Sequence, residues 1–118
     1  FTGYLPDEIL NRVCRLADAV VLPSVAEGFG LPVIEAFAAG VPVLCSDIPA
    51  LREIGGDAAQ YAPADDVKAW RLLLTDVCRD DSVRRQLAAA STARAPLFTD
   101  RNRYRNDVIS IYQRALAR

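Results

Sequence analysis

Two short, uninterrupted apolar runs do most to limit what this chain can fold into: Ala19-Val20-Val21-Leu22 and Val43-Leu44-Cys45. A strand with one solvated face alternates apolar and polar residues. A run without alternation suits a strand covered on both faces, as in a parallel sheet. Between the runs, Pro23 and Ser24 end the first strand and Glu27-Gly28-Phe29-Gly30 makes a glycine-rich turn. Leu31-Pro32 then opens a helix, since proline is favoured in a first turn where its missing N–H costs nothing. Val33, Ile34, Phe37 and Ala38 form the apolar face of that helix, and Gly40 is placed to cap its C-terminus.

The same alternation extends to either side. Pro6-Asp7-Glu8 opens an earlier helix with acidic residues in its first turn, where the helix dipole favours them. Ile9, Leu10, Val13, Cys14 and Leu16 follow at helical spacing. Ala50 to Ile54 reads as a short helix, Gly55-Gly56-Asp57 as a turn, and Ala58 to Tyr61 as a third short strand. Beyond Pro63 the pattern is helical only. Val67, Trp70, Leu74 and Val77 make one stripe; Val83 and Leu87 belong to a helix ending near Pro96; Tyr104, Val108, Ile111 and Ala115 mark a last one. The expected class is therefore α/β, a parallel sheet with flanking helices, closed by C-terminal helices. Three short strands are few for a doubly wound sheet, so further strands upstream are expected.

Composition excludes several functions. With 118 residues there is room for one compact domain. Fourteen basic and 15 acidic residues leave a net charge of −1, so no basic excess is available for nucleic acid. Arginines do gather late, at 84, 85, 94, 101, 103, 105, 114 and 118, interleaved with Asp80, Asp81, Asp100 and Asp107. That pattern reads as a solvated helix surface, with a weak basic face toward anionic lipid as the alternative. There is no histidine, and Cys14, Cys45 and Cys78 stand far apart. No metal site is expected from them, nor a catalytic thiol, and the cysteines read as buried, reduced thiols of a cytosolic protein. No stretch approaches the roughly 18 apolar residues of a membrane span, and no signal peptide is evident. The start at Phe1 without a methionine is expected of a piece of a longer chain.

The segment from Ser24 to Leu31 is the candidate site. Ligands of α/β folds bind in loops after the carboxyl ends of parallel strands. Gly28 and Gly30 allow close backbone approach, and free N–H groups at a helix start favour phosphate. Two carboxylates flank the turn, Glu27 in the loop and Glu35 about one turn into the helix, eight positions apart. Carboxylates only accept hydrogen bonds and so suit vicinal hydroxyls, as on a ribose or a hexose. A plain strand-to-helix turn and two surface acids would show the same residues.

Taken together, Pro23-Ser24, Glu27-Gly28-Phe29-Gly30-Leu31-Pro32 and Glu35-Ala36 resemble the E-x7-E motif of family 4 retaining glycosyltransferases. The resemblance continues through Gly40-Val41-Pro42-Val43, Asp47-Ile48-Pro49, Glu53-Ile54 and Gly56-Asp57-Ala58-Ala59, and takes in Phe1 to Leu22. It implies a GT-B fold, two Rossmann-like domains facing across a cleft, with this chain part of the C-terminal, donor-binding one. The N-terminal acceptor domain, the first strands and the basic residues that grip the diphosphate are then expected upstream. The resemblance further implies that Glu35 binds the ribose and that Glu27 is the catalytic carboxylate beside the donor sugar and its leaving phosphate. The N–H groups of Gly28, Phe29, Gly30 and Leu31 would contact sugar and diphosphate. The donor would be a UDP-, GDP- or ADP-sugar, and the acceptor a glycan or lipid-linked hydroxyl, in polysaccharide or glycolipid biosynthesis. No cofactor and no metal are implied, and no Asp-x-Asp occurs in the chain. The implied location is cytoplasmic or peripheral at the inner membrane face.

A non-catalytic GT-B-like binding or scaffolding module is the alternative. A phosphorylase of this fold would need a lysine for pyridoxal phosphate, and Lys68, the only lysine, is far from the motif. Phe98-Thr99-Asp100 stands where the family often has a tryptophan, leaving the packing there open. Exposed strand edges left by missing neighbours predict self-association of this chain.

Overall fold

The computed structural model describes residues 2–116, with the side chains of 101–105, 111, 112 and 116 left out. Tyr104 and Ile111 of the last helical stripe, and Arg101, Arg103, Arg105 and Arg118 of the arginine-rich end, thus lie outside the described side chains. The elements run α1 (Asp7–Leu16), β1 (Val20–Leu22), α2 (Leu31–Ala39), β2 (Val43–Ser46), α3 (Pro49–Gly55), a 3-10 turn (Gly56–Ala58) and β3 (Ala59–Ala62). Four helices follow: α4 (Val67–Arg79), α5 (Asp81–Arg94), α6 (Pro96–Thr99) and α7 (Arg101–Leu116). The strands form one parallel sheet in the order β1-β2-β3, with Val20 opposite Val43 and Val43 opposite Ala59. This is the expected α/β arrangement, a Rossmann-like parallel sheet with helices on it.

The central strand explains the apolar run that announced it. All four residues of β2 are buried, and alternate side chains enter two different cores. Val43 and Cys45 join Val33, Ala36 and Phe37 of α2 and Leu51 and Ile54 of α3. Leu44 joins Ala62, Trp70, Val77 and Leu87, the core beneath α4 and α5. β1 is different. It pairs only with β2 and carries Val21 at 39% exposure, so the expected cover on both its faces is not present in this chain. The apolar stripe of α1 is likewise uncovered: Ile9, Leu10, Val13 and Leu16 are exposed and no residue of that helix is buried.

Helix ends follow local chemistry. Gly40 adopts φ +70° and donates its N–H to Ala36 and Phe37, the cap expected of it. Asp66 accepts from the N–H groups of Lys68 and Ala69 at 3.0 Å, and Asp80 caps α5 through Ser82 and Val83. Phe98 stacks on Phe37 with ring centroids 6.5 Å apart, which settles the packing of that segment onto the core of α2.

Several faces differ in detail from the sequence reading. On α2 it is Ala36, not Ala38, that is buried, and on α4 Leu73 packs inward whereas Leu74 is exposed. The third strand starts at Ala59 rather than Ala58, which the 3-10 turn takes. Of the thiols expected to be buried only Cys45 is; Cys14 is half-buried and Cys78 exposed, because it lies on the outer face of α4.

Candidate functional site

The loop from Pro23 to Gly30 leaves the carboxyl end of β1 and feeds α2, as expected for a ligand loop of a parallel sheet. Gly30 is the N-cap of α2 and adopts φ +67°, a left-handed conformation that disfavours any side chain. A Cβ there would also meet Leu51 Cδ2 at 2.9 Å. Gly30 is therefore fixed by the fold itself. Gly28 is not: a Cβ at that position would meet nothing within 4 Å.

The turn leaves its amides unused. Val33 donates to the Gly30 carbonyl at 3.0 Å, while the N–H groups of Gly28, Phe29, Gly30 and Leu31 donate to nothing among the described residues. Pro32 has no N–H to offer. Four successive free donors thus stand at the positive end of α2, an arrangement suited to an anion. Phe29 and Leu31 are 60% and 59% exposed, whereas Gly30 between them is buried.

The two carboxylates are held differently. Glu27 is half-buried and accepts a hydrogen bond at Oε1 from Ser24 Oγ, 2.6 Å away. Glu35 is exposed and has no protein partner among the described residues. It lies one turn after Leu31, on the same solvent-facing strip of α2, while Val33, Ala36 and Phe37 face the core. Glu27 thus precedes the turn, and Glu35 lies within α2, one helical turn beyond Leu31. The Ser24 contact was not read from the sequence; its only trace there is a three-residue spacing that many loops share.

A second polar group lies on the neighbouring loop. Ser46, fully buried at the end of β2, donates to the Leu22 carbonyl at 3.5 Å and links the two strand ends. Asp47 accepts two hydrogen bonds from Arg52, at 2.6 and 2.8 Å, and the Arg52 guanidinium sits 4.0 Å from the Tyr61 ring centre. Those hydrogen bonds hold the Asp47 carboxyl below the usual carboxylate range. Burial pushes the Cys45 thiol up to about 11 and Tyr61 up to about 12. Neither is a ready nucleophile or base at neutral pH.

A groove of about 310 Å³ runs from Gly28 and Phe29 past Ala50 and Glu53 to Arg94 and Phe98. A cavity of about 300 Å³ under α4 and α5, lined by Gln60, Leu73 and Leu87 among others, touches none of the expected site residues. Among the described residues no group of three or more His, Cys, Asp or Glu could hold a metal ion, and no helix is long and apolar enough to cross a membrane.

Against known families, the profile described as "Glycosyl transferases group 1" matches residues 1–94, most of the chain and all of the sheet and motif loop. The chain belongs to this glycosyltransferase family. Among curated relatives, O-antigen chain mannosyltransferase B of Escherichia coli is 41% identical over 102 residues, which cover 86% of this chain and 27% of that protein. O-antigen chain mannosyltransferase RfbU of Salmonella typhimurium is 44% identical over 61 residues, 52% of this chain and 17% of the relative. Phosphatidyl-myo-inositol mannosyltransferase of Mycolicibacterium smegmatis is 33% identical over 97 residues, 80% of this chain and 25% of the relative. The chain spans about a quarter or less of the length of these relatives. The resemblance drawn from the motif is borne out at the level of the family.

Proposed function

We propose that this chain is the donor-binding part of the C-terminal domain of a retaining glycosyltransferase, and that the whole protein moves a hexose from a nucleoside diphosphate sugar to an acceptor hydroxyl. The observation that carries the reading is the row of four free N–H groups at Gly28 to Leu31, flanked by Glu27 and Glu35. The row is a cradle for a diphosphate. Glu35, without a protein partner, accepts hydrogen bonds from the ribose hydroxyls. Glu27 faces the donor sugar and its leaving phosphate. When the bond from the anomeric carbon to the phosphate oxygen breaks, charge gathers on the diphosphate, and amides already aimed at it stabilise that charge without reorganising.

Curated relatives are named as mannosyltransferases of O-antigen chains and of phosphatidyl-myo-inositol. They support a mannosyl or related hexosyl donor and a glycan or lipid-linked acceptor in surface polysaccharide or glycolipid synthesis; the carrier in this reading is UDP, GDP or ADP. A cytoplasmic location, or one at the inner membrane face, goes with that reading. This chain alone binds donor and does not turn it over, because the acceptor side is supplied by the rest of the protein.

The test is titration of the chain with UDP, GDP and ADP by heat or chemical shift, beside Glu35→Ala. Saturable binding of one diphosphate, weakened about tenfold or more by the substitution, is the expected result. Equal binding by the substituted chain would remove Glu35 from the site, and sugar transfer by this chain alone would contradict the division of labour.

A further inference from the structure

Resting on the donor-site reading above, we propose that Ser24 is a positioning residue: its hydroxyl sets the Glu27 carboxylate in place so that only part of that carboxylate is left to read the donor sugar. The hydroxyl has one proton to give, and it gives it to Oε1 of Glu27 at 2.6 Å. That distance is in the range of charge-assisted O–H···O⁻ bonds. Ser24 stands two residues beyond the end of β1, after Pro23, and the last residue of that strand, Leu22, is tied to β2 through its carbonyl and Ser46. Both partners are half-buried, so water competes poorly for the bond.

The consequence is chemical as well as geometric. A glutamate on an open loop samples many rotamers, and fixing it on ligand arrival costs part of the binding free energy. Ser24 removes that cost before the donor arrives. It also occupies one acceptor site on Oε1, which leaves Oε2 as the oxygen with all its lone pairs free. Glu27 thereby presents a single preferred acceptor to a sugar hydroxyl in a fixed direction. Glu35 has no such partner and keeps both oxygens for a vicinal diol. The two motif carboxylates are thus prepared differently, Glu27 held through one oxygen by Ser24 and Glu35 with both oxygens open.

Two measurements on the 118-residue chain test this. The first needs no ligand: side-chain couplings of Glu27 by NMR in the wild type, Ser24→Ala and Ser24→Thr. One dominant Glu27 rotamer in the wild type and in Ser24→Thr, and averaged rotamers in Ser24→Ala, is expected. An averaged Glu27 in the wild type, or a fixed one in Ser24→Ala, overturns the proposal. The second compares GDP-mannose, UDP-glucose and ADP-glucose with GDP, UDP and ADP. Ser24→Ala is expected to weaken the sugar nucleotide that binds by about tenfold while the matching diphosphate stays within about twofold, with recovery in Ser24→Thr. Equal weakening of both ligands, or of neither, overturns the role of Ser24 as a reader of the sugar. If no nucleotide binds and Glu35→Ala changes nothing, the donor-site reading fails, and the couplings alone still decide whether Ser24 orders Glu27.

Discussion

At the residue scale, the two glycines of the motif loop do different work, and substitution separates them. Gly30 has a positive φ and Leu51 Cδ2 only 2.9 Å from where a Cβ would sit. Gly30→Ala should therefore destabilise the fold by roughly 2–3 kcal/mol in urea denaturation, from backbone strain plus a core shift. Gly28→Ala meets no neighbour and should change stability by less than about 0.5 kcal/mol. If a phosphate sits on the backbone there, the same substitution still weakens nucleotide binding; unchanged binding would place the phosphate elsewhere. The glycines, Glu27 and Glu35 were legible in the sequence because a turn between strand and helix needs glycine and because carboxylates eight positions apart stand out. Ser24 on Glu27, and Arg52 stacked between Asp47 and Tyr61, were not. Contacts of that kind depend on where a loop's side chains turn back, which no periodicity encodes. Asp47 also carries a pH dependence. Its carboxyl is held low by Arg52, so its contribution to stability is present above the unfolded value of 3.8 and is lost as the pH falls through the lower folded value. Asp47→Asn should make the thermal midpoint fall less steeply in that acid window than it does in the wild type.

At the element scale, helices α4 and α5 begin on aspartates that cap them, and the caps are separable from the cores. Asp66→Ala removes the acceptor for two N–H groups and should cost about 1 kcal/mol. Guanidinium unfolding with a constant slope would show it as a shift of midpoint only. Thiol labelling reports the elements in another way. Cys78 on the outside of α4 should react first, Cys14 of α1 more slowly, and Cys45 only at the rate of opening of the central strand, since burial both hides it and pushes its thiol to about 11. Labelling of Cys45 as fast as Cys78 would contradict the buried β2. Elements themselves were well marked by sequence: apolar runs gave β1 and β2, and Gly40 sits at a real helix end. Which neighbour of a pair faces inward was not. Leu73 and Leu74 are equally apolar, and the choice between them is made by where Trp70 and Val77 meet Leu44 and Ala62. The helical spacing fixes a stripe only to within a residue.

At the scale of the whole molecule, the three-stranded sheet has two outer strands, β1 and β3, each paired only with β2 among the described residues. Helices α4 and α5 pack against β3, whereas β1 carries the exposed Val21 on an unpaired edge. Such an edge invites a further strand from any source. In sedimentation the chain should self-associate with rising concentration, and Val21→Lys, which puts a charge on the exposed side of β1, should reduce it. A monomer across the whole concentration range would show that the edge is not adhesive. Ser91 and Arg94 stand one turn apart on α5. Ser91 donates to the Val41 carbonyl at 2.8 Å, and Arg94 to the carbonyls of Glu53 and Ile54, bridging 50, 41 and 40 positions of chain. No strand in this sheet is next to its partner through a hairpin, so every pairing closes a long loop before any of it is repaid. Those two side chains can close only after α3 and the turn before β2 exist, and the expectation is that α5 seats late in folding. Ser91→Ala should then leave the refolding rate nearly unchanged and speed unfolding, so that the helix carrying the family's last matched residue acts as the latch that decides how long the folded molecule lasts.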